Sequence, residues 1–512
     1  MLLADVARTS REVAGTRSRL EKVELLARLL STLAPAERPT VVAWLAGDLP
    51  QGRVGLGLSG LHQALLAASP GGVPSLSVEE VDAALSACAA SRGPGSAGAR
   101  REALRRLLER AGPEERGFLA GLLAGELRQG ALEGVILEAV ARAGGAAPAE
   151  VRRAAMMAGS LPPVAAALLA EGPGALACFR LRLMEPVQPM LAGSARSVGD
   201  ALAALGEAAL EWKLDGARVQ VHKDGGEVRV FSRSLRDVTA AVPEVAAVVR
   251  AAPARSLVLD GEALAVRPDG TPEPFQVTMR RFGRKLDVDR LAPDLPLTAF
   301  FFDLLHQDGS DLLALPNAER HAALRSAIPA AHLVPRRVTG QLAEAEAWFE
   351  EALARGQEGL VAKAPGAPYQ AGRRGGAWLK VKRARTLDLV VLAAEPGSGR
   401  RRGWLSNLHL GAREPERGGF AMLGKTFKGM TDAMLAWQTE RLRSLAVSEE
   451  GGVVRVRPQL VVEVAFDGIQ ASSRLESGLA LRFARVKRYR EDKRPEDADT
   501  IATVRALYQG QG

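Results

Sequence analysis

The sequence predicts a multidomain fold in which an all-α region is followed by a mixed α/β region and then by a mostly β region. The first observation is length, since 512 residues exceed what one hydrophobic core usually serves. The second is the change of apolar period, from helical spacing in the first third to strand-like alternation with turn signals afterwards. The third is composition, because 47% hydrophobic and 25% charged residues are globular values.

The first region, residues 1 to 180, is predicted to be helical throughout. Leucines recur at the helical period, and Ser77 with Glu80 has the spacing of a capping box. The stretch 91–98, rich in Gly, Pro and Ala, predicts a loop inside this region. No segment before residue 180 has the alternation of a strand.

The second and third regions are predicted to contain most of the strands. In the second region, 186–383, residues 218–230 alternate apolar and polar around Asp-Gly-Gly at 224–226, which indicates a hairpin. Further strands are expected at 257–266 and 297–305, with helices between them. Residues 384–512 suit a small β-barrel of about 125 residues. Its expected elements are one helix, 432–445, and strands at 387–394, 405–410, 419–423, 453–456 and 460–466.

Composition also excludes several classes of protein. Cys88 and Cys178 lie far apart without clustered His, so we expect neither a zinc site nor a disulfide framework, and two buried inert thiols instead. No apolar run reaches the roughly 18 residues of a membrane helix, and the charged N-terminus does not resemble a signal peptide. We therefore expect a soluble cytoplasmic protein with no membrane partner.

The charge pattern favours a polyanionic partner and makes each lysine informative. The formal net charge is +9 and the pI about 9.9, which is typical of nucleic-acid-binding proteins but does not prove binding. Only 11 of the 68 basic residues are lysine, and Lys22 alone precedes Lys213. Because Arg carries charge but cannot deprotonate to become a nucleophile, lysines clustered at short motifs indicate chemistry.

Two glycine-rich patterns match phosphate-binding motifs without the expected context. Residues 55–60 match GxGxxG, yet they lie among predicted helices with no strand before them. Residues 419–426 match the Walker A pattern, but a P-loop must open a helix and the intervening residues favour a strand. We therefore expect a helix connection or phosphate-contacting turn at 55–60, and a barrel-surface lysine at Lys425.

The strongest constellation begins at residues 211–218, Glu-Trp-Lys-Leu-Asp-Gly-Ala-Arg. Alone, this piece could be a solvated lysine in an acidic turn. It is followed by Phe-Ser-Arg, Leu-Asp-Gly-Glu, Phe-Phe-Asp, Glu-Gly-Leu-Val-Ala-Lys and Trp-Leu-Lys-Val-Lys, at 231–233, 259–262, 301–303, 358–363 and 378–382. Polar and apolar residues alternate in the strand-like pieces, so the polar side chains are expected to project into one shared cleft.

In this order and spacing the pieces resemble the covalent nucleotidyltransferases, and specifically the ATP-dependent DNA ligases. Residues 482–493 are similar to the last motif of these ligases, and 403–411 and 463–467 to their barrel strands. The resemblance covers about 186–493. It implies a helical DNA-binding domain, an adenylyltransferase domain with an ATP-grasp-like ligase core, and an OB-fold barrel, at 1–180, 186–383 and 384–512.

The resemblance also implies a role for each matching residue. Lys213 would be the nucleophile, with its pKa lowered by Lys380, Lys382 and magnesium, and the same two lysines would neutralise the α-phosphate. The AMP contacts would be made by Glu211 at adenine, Arg218 and Glu262 at ribose, Phe302 by stacking, and Arg233 and Arg374 at the nucleotide or the DNA 5′-phosphate. Metal carboxylates would be Glu262 and Glu358, and the triphosphate would be oriented by Arg482, Arg485 and Lys493. Asp215 and Asp260 could equally be structural caps on glycine turns.

The implied activity is the sealing of nicked duplex DNA with ATP as co-substrate and Mg²⁺, which Mn²⁺ could replace. The implied form is a monomer that encircles DNA in the bacterial cytoplasm, associated with the nucleoid when it acts. Three alternatives stay open: an RNA ligase or capping guanylyltransferase on the same core, a noncatalytic nucleic-acid-binding scaffold, and a P-loop ATPase that uses Lys425.

Overall fold

The structure is a computed structural model that describes residues 1–52, 54–55, 57–68, 75–127, 129, 133–282, 295–370, 374–383, 385–398 and 401–509. Its first part is helical, as predicted. The helices are α1 (Leu3–Gly15), α2 (Arg19–Ser31), α3 (Arg38–Ala46), α4 (Leu58–Ala67), α5 (Val78–Ala90), α6 (Ser96–Arg110), α7 (Pro113–Leu123), α8 (Glu133–Ala143), α9 (Pro148–Met157) and α10 (Leu161–Glu171).

These helices enclose one hydrophobic core of their own. Helix α2 packs against α8, and α3 against α10. Trp44 on α3 is fully buried there and meets the edge of Phe118 at 6.5 Å between ring centroids. The capping box at Ser77 and Glu80 is confirmed. The predicted loop at 91–98 is too long, because α6 already begins at Ser96.

The middle part contains two five-stranded sheets. Sheet A has the strand order β1-β10-β9-β2-β8, and sheet B the order β4-β3-β5-β6-β7. Pairing is antiparallel except between β1 and β10. The strands are β1 (Leu191–Ser194), β2 (Ala208–Lys213), β3 (Ala217–Asp224), β4 (Glu227–Ser232), β5 (Ser256–Ala265), β6 (Leu297–Gln307), β7 (Ser310–Asp311), β8 (Arg336–Thr339), β9 (Gly359–Lys363) and β10 (Arg374–Lys382).

Helices cover the outer face of each sheet, so the inner faces are free to form a site. Leu210, Leu360 and Val381 of sheet A pack against two helices, α11 (Val198–Leu205) and α15 (Leu342–Ala354). Sheet B buries its alternate residues against α12 (Pro243–Arg250) and α14 (Asn317–Ala327). Helix α13 (Phe275–Phe282) lies beside β5. The predicted hairpin at 224–226 is confirmed, since Asp224 pairs with Glu227.

The last part is mostly β and differs in detail from the predicted barrel. A seven-stranded antiparallel sheet C has the path β13-β12-β11-β15-β14, with β16 joining β11 to β19, and β17 and β18 form a separate hairpin. The pairings between described residues do not make a closed barrel. The elements are β11 (Arg385–Pro396), β12 (Leu405–Arg413), β13 (Phe420–Thr426), α16 (Asp432–Ser444), β14 (Ala446–Glu450), β15 (Val453–Val456), β16 (Val461–Phe466), β17 (Gly468–Ala471), β18 (Leu479–Arg482), β19 (Arg485–Tyr489) and α17 (Ile501–Gln509).

Two expectations from composition can be compared with the structure. Cys88 is buried in the helical core, whereas Cys178 is exposed, so the expectation of two buried thiols is wrong for Cys178. Cys178 is the last residue of a short 3₁₀ turn, Pro173–Cys178, in which most side chains are exposed to solvent. Within the ranges that the structure describes, no helix is both long and apolar enough to cross a membrane.

A buried ion pair ties α14 to sheet B and gives a stability prediction. Arg320 donates to both carboxylate oxygens of Asp303 at 2.7 and 3.0 Å, and both side chains are fully buried. Arg320→Met leaves that carboxylate without its counter-charge, so the free energy of unfolding should fall by about 3–5 kcal/mol. Urea denaturation measures this, with Arg325→Met, an exposed position on the same helix, as the control. Equal stability of the two variants would contradict it.

Candidate active site

The predicted polar residues of β2, β9 and β10 lie on one face of sheet A. Lys213 pairs with Gly359, which pairs in turn with Lys382, and Glu211 pairs with Val361, the neighbour of Lys380. Laterally paired residues point to the same face of a sheet. The opposite face carries the apolar residues covered by α11 and α15. The alternation therefore places one row of lysines and carboxylates on the inner face, as expected.

Lys213 ends β2, and its side chain forms an ion pair with Glu358. The same carboxylate accepts a hydrogen bond from Lys382 Nζ at 2.9 Å, so Glu358 bridges two ammonium groups. The backbone N–H of Glu358 also donates to the carbonyl oxygen of Lys213 at 3.0 Å. Glu358 is thus fixed by its backbone and its side chain beside the lysine.

The ionisation of Lys213 is governed by the carboxylates around it. Burial lowers its pKa, but the charge and hydrogen bond of Glu358, with the charges of Glu262 and Asp215, outweigh burial and raise the pKa above its ordinary value. The lowering of this pKa by Lys380, Lys382 and magnesium stays a prediction.

The inner face of sheet B contributes a second network around Arg218. Arg218 donates to both oxygens of Asp260 at 3.0 and 2.7 Å and to the carbonyl of Met190 at 2.7 Å. Tyr369 donates to Asp260 at 2.7 Å and accepts from the Met190 N–H at 2.9 Å. Asp260 is only 1% exposed. It therefore holds Arg218 and does not cap a glycine turn.

Glu211 is buried between two basic groups at the other end of the row. Arg336 donates to one oxygen at 3.0 Å, and Lys363 Nζ lies 2.6 Å from the other. Burial lowers the pKa of Lys363 despite the opposing charge of Glu211. Lys363 also lies 4.6 Å from the ring centroid of Phe302 and 4.2 Å from that of Trp378. Both oxygens of Glu211 therefore have basic partners, and the expected contact with adenine requires that one of these partners be exchanged.

Aromatic rings join the inner faces of the two sheets. Phe302 of sheet B meets the edge of Trp378 of sheet A at 6.0 Å between centroids, and Arg218 lies 5.5 Å over the Phe302 ring. Lys213, Arg218 and Phe302 are therefore walls of one cleft between the sheets. A planar base held there could stack on Phe302 with its phosphates directed toward Lys213.

Two further carboxylates lie near Lys213. Burial raises the pKa of Glu262 to about 7, although Lys213 and Arg218 pull it down. Burial and the charge of Glu358 raise the pKa of Asp215, against the effect of Arg482. Asp215 accepts a hydrogen bond from Arg482 at 3.2 Å, which makes it more than a turn cap. The described residues contain no group of three His, Cys, Asp or Glu arranged to hold a metal alone.

The β17–β18 hairpin and the start of β19 bring the third region over the cleft. Asp467 lies 3.4 Å from Lys382 and accepts a hydrogen bond from Arg485 at 2.9 Å. With Glu358 these groups form a chain of alternating charge that starts at Lys213. Arg482 and Arg485, two of the three expected triphosphate-orienting residues, therefore point toward the site.

Four other residues were expected to contribute to the site, and the structure locates each of them as follows. Lys493 and Arg490 bind Asp388 of β11 at 2.6 and 2.9 Å. Arg233 is exposed in the turn after β4. Lys380 belongs to the same row of sheet A as Lys382. Arg374 begins β10, and its side chain lies outside the described residues.

Of the two motif-like glycine stretches, the structure describes one completely. Phe420–Thr426 is strand β13, and Lys425 on it forms an ion pair with Glu395. The Walker A pattern therefore lacks its helix, and the prediction of a surface lysine is confirmed. Gly57 precedes α4, whereas Leu56 lies outside the described residues, so the turn at 55–60 stays a prediction.

Comparison with known proteins agrees with the geometry. Family models described as "DNA ligase N terminus", "ATP dependent DNA ligase domain" and "ATP dependent DNA ligase C terminal region" match residues 61–141, 189–382 and 401–493. A "Probable DNA ligase" from Anaeromyxobacter sp. (strain K) is 71% identical, with all of both chains covered. The chain belongs to the ATP-dependent DNA ligases. Nick sealing is the function of this family.

Further relatives of this ligase extend the comparison. A "Probable DNA ligase" from Mycobacterium marinum is 56% identical and covers 99% of this chain, with all of its own length matched. The solved structure "Pmar-Lig_PreS3" has a TM-score of 0.63, covers 95% of this chain and 99% of its own, and is 18% identical. At that identity the similarity shows the fold alone.

Sequence reasoning missed several residues that hold the ligase site together. Asp467 links the third region to Lys382, Tyr369 donates to the Asp260 carboxylate that holds Arg218, and Lys363 neutralises Glu211. The sequence offered a reason to select Lys363, since lysine is rare in this chain and Lys363 lies inside a recognised motif. It offered no reason to select Tyr369, because the contact of Tyr369 with Asp260 joins positions 109 residues apart.

The raised pKa of Glu262 predicts a dependence of stability on pH. The folded protein holds the Glu262 proton up to about pH 7, whereas an unfolded glutamate loses it near its ordinary value of 4.5. Stability contributed by this group is therefore present below pH 4.5 and lost as pH rises through 7. Glu262→Gln should become more stable than the wild type by on the order of 1–3 kcal/mol between pH 5 and 8.

Denaturant unfolding at pH 5, 6.5 and 8 checks this expectation. Glu319→Gln, an exposed glutamate on α14, is the control and should follow the wild type at every pH. If the Glu262→Gln and wild-type stabilities keep a constant difference across the range, the explanation is wrong.

Proposed function

We propose that this ligase seals nicks in duplex DNA through a covalent lysyl-AMP intermediate on Lys213. One observation carries the proposal: Lys213 ends β2 inside a cleft, in ion-pair contact with Glu358, where Lys382, Asp467 and Arg485 continue the charge chain toward the third region. The proposed nucleophile and the cations that would bind phosphate thus lie in one partly buried cluster. The proposed domains have the bounds 1–180, 186–383 and 384–512.

In the first step the neutral amine of Lys213 attacks the α-phosphorus of ATP. A P–N bond forms as the bond from that phosphorus to the bridging oxygen breaks, and pyrophosphate leaves. The ammonium must first lose a proton, and Glu358 currently stabilises the ammonium form. Binding of ATP must therefore draw Glu358 away from Lys213, because a free carboxylate beside the amine keeps its pKa high.

A divalent cation fits this requirement. Mg²⁺ usually takes one or two carboxylates together with phosphate oxygens, so the lack of a three-carboxylate cluster does not argue against it. Glu358 would hold Mg²⁺, with Glu262 as the second candidate and Mn²⁺ as a possible replacement. When bound, the cation would neutralise charge that develops on the phosphates. Glu358 engaged in this way would stop raising the pKa of Lys213.

The other side chains of the cleft would bind and orient the nucleotide. The Phe302 ring would stack on the adenine, and Glu211 would accept a hydrogen bond from its exocyclic amine after exchanging one basic partner. Arg218 and Glu262 would contact the ribose. Lys380 and Lys382 would neutralise the α-phosphate. The β,γ-phosphates would be oriented for departure by Arg482, Arg485 and Lys493, with Arg233 and Arg374 contacting the nucleotide or the DNA 5′-phosphate.

In the later steps AMP would pass to the 5′-phosphate at the nick, and the 3′-hydroxyl would displace AMP. We propose that a monomer encircles the duplex, with the helical part and sheet C on opposite sides, in the cytoplasm and associated with the nucleoid. The net charge of +9 favours binding to the polyanionic duplex. Affinity for DNA should fall steeply with salt, because each neutralised phosphate releases counterions.

The covalent step is tested by incubating the protein with magnesium and α-labelled ATP without DNA. Label should appear on Lys213 of the wild type and be removed by nicked DNA, whereas Lys213→Ala should take no label and seal no nicks. Loss of a covalent nucleophile typically abolishes turnover, because no other group forms the intermediate.

Lys425→Ala is the matched control, since it removes a lysine from the other motif-like stretch, and it should label and seal like the wild type. Failure of Lys425→Ala alone would favour the P-loop ATPase. A wild type without label from ATP, GTP or NAD⁺ would favour the noncatalytic scaffold. Faster sealing of RNA nicks than of DNA nicks would favour an RNA ligase.

A further inference from the structure

Helix α13 lies between sheet B and the β17–β18 hairpin, and it is firmly anchored to the sheet side. Thr278 Oγ1 accepts a hydrogen bond from the Ala265 N–H at 3.1 Å, and Arg281, 1% exposed, donates to both oxygens of Glu244 at 3.1 Å. The Glu244 carboxylate also accepts the N–H of Leu297 at 2.9 Å. The first turn of α13 is therefore a fixed surface against which another part of the chain can dock.

Gln276 on this first turn holds the hairpin through both the donor and the acceptor of its side-chain amide. Its Nε2 donates to the Ala471 carbonyl at 3.3 Å, and its Oε1 accepts the Ala471 N–H at 3.3 Å. A primary amide carries a donor and an acceptor, so it can pair with both backbone groups of one residue as a neighbouring strand does. Gln220 pairs with Val187 in the same way at 2.8 and 3.0 Å.

The adjacent Phe275 supports the same hairpin at its other end. The Arg482 guanidinium lies 4.4 Å from the centroid of the Phe275 ring, a cation–π contact. Arg482 also reaches Asp215 at 3.2 Å, two positions after Lys213. Phe275 and Asp215 therefore hold Arg482 from two directions.

The hairpin connects these contacts to the reacting lysine. Its pairing runs from Gly468 with Arg482 to Ala471 with Leu479, so Ala471 and Arg482 belong to one rigid unit. Asp467 immediately precedes β17 and donates its N–H to the Arg482 carbonyl at 3.0 Å. Fixing Ala471 thus fixes both Asp467 and Arg482 over the cleft that contains Lys213.

We propose that Gln276, together with Phe275 beneath Arg482, is a positioning residue for transfer of AMP from ATP to Lys213 and for no later step. The inference rests on the ligation reaction proposed above. In the described structure Asp467, just before the hairpin, contacts Lys382, and Arg482 on the hairpin contacts Asp215, so the hairpin lies beside the proposed phosphate positions. A DNA end must reach the same phosphorus, so the hairpin leaves before DNA is adenylated, and the Gln276–Ala471 bonds are then broken.

The test separates the first step from the last in the full-length chain. Gln276→Ala removes both bonds, and Gln276→Glu keeps the side-chain size but sets a carboxylate against the Ala471 carbonyl. Single-turnover labelling of the protein by α-labelled ATP should slow about tenfold in both variants, as expected for one or two net hydrogen bonds. Sealing of a nicked duplex with a preformed 5′-adenylate, without ATP, should change less than about twofold.

Met279→Ala is the matched control, because Met279 is exposed on the same helix and borders the groove between α13 and the β17–β18 hairpin. It should behave as the wild type in both assays. Unchanged labelling in both Gln276 variants overturns the inference, and so does an equal loss of labelling and sealing, which would indicate a purely structural role. A wild type that takes no label overturns the proposed function, and the inference with it.

Discussion

The structure depends on one carboxylate, Glu358, which holds the ammonium groups of Lys213 and Lys382 at the same place. Placing two cations close together in a poorly solvated cleft is costly unless a counter-charge lies between them. The backbone holds this carboxylate in place. The Glu358 N–H donates to the Lys213 carbonyl at the end of β2, and Gly359 begins β9 with φ of +144°. A side chain at residue 359 would collide with the backbone of β10, so glycine allows the two lysine strands to approach.

The same principle explains why the cations of the cleft are paired with carboxylates. Lys213 and Lys382 meet Glu358, Arg485 meets Asp467, and Arg482 meets Asp215. Under the proposed function, each cation would exchange a carboxylate for a phosphate oxygen. Such an exchange would keep the charge balance of the cleft as ATP enters. It would also link occupancy of the site to the ionisation of Lys213, because the carboxylate that raises its pKa would be the one displaced.

Much of the fold could be predicted from the sequence, because apolar periods and turn residues are local signals. The helical first part, the hairpin at 224–226 and most strands of the last part follow from them. Strands β14, β17, β18 and β19 were missed, since short, partly exposed strands lack alternation. The row of sheet A was also predictable, because alternation within β2 and β10 fixes which side chains share a face.

The contacts that could not be predicted are those that join distant segments. Arg482 meets Asp215 across 267 positions, and Asp467 meets Lys382 across 85. Local pattern contains no information on such pairs, and for this reason the contact of Lys213 with Glu358, across 145 positions, was not predicted. These same long-range pairs are few and polar, while each part of the chain has its own apolar core. The middle and last parts of the chain can therefore separate by breaking ion pairs, without exposing a hydrophobic core. The proposed reaction would need such a separation, because the site would admit first a nucleotide and then a DNA end.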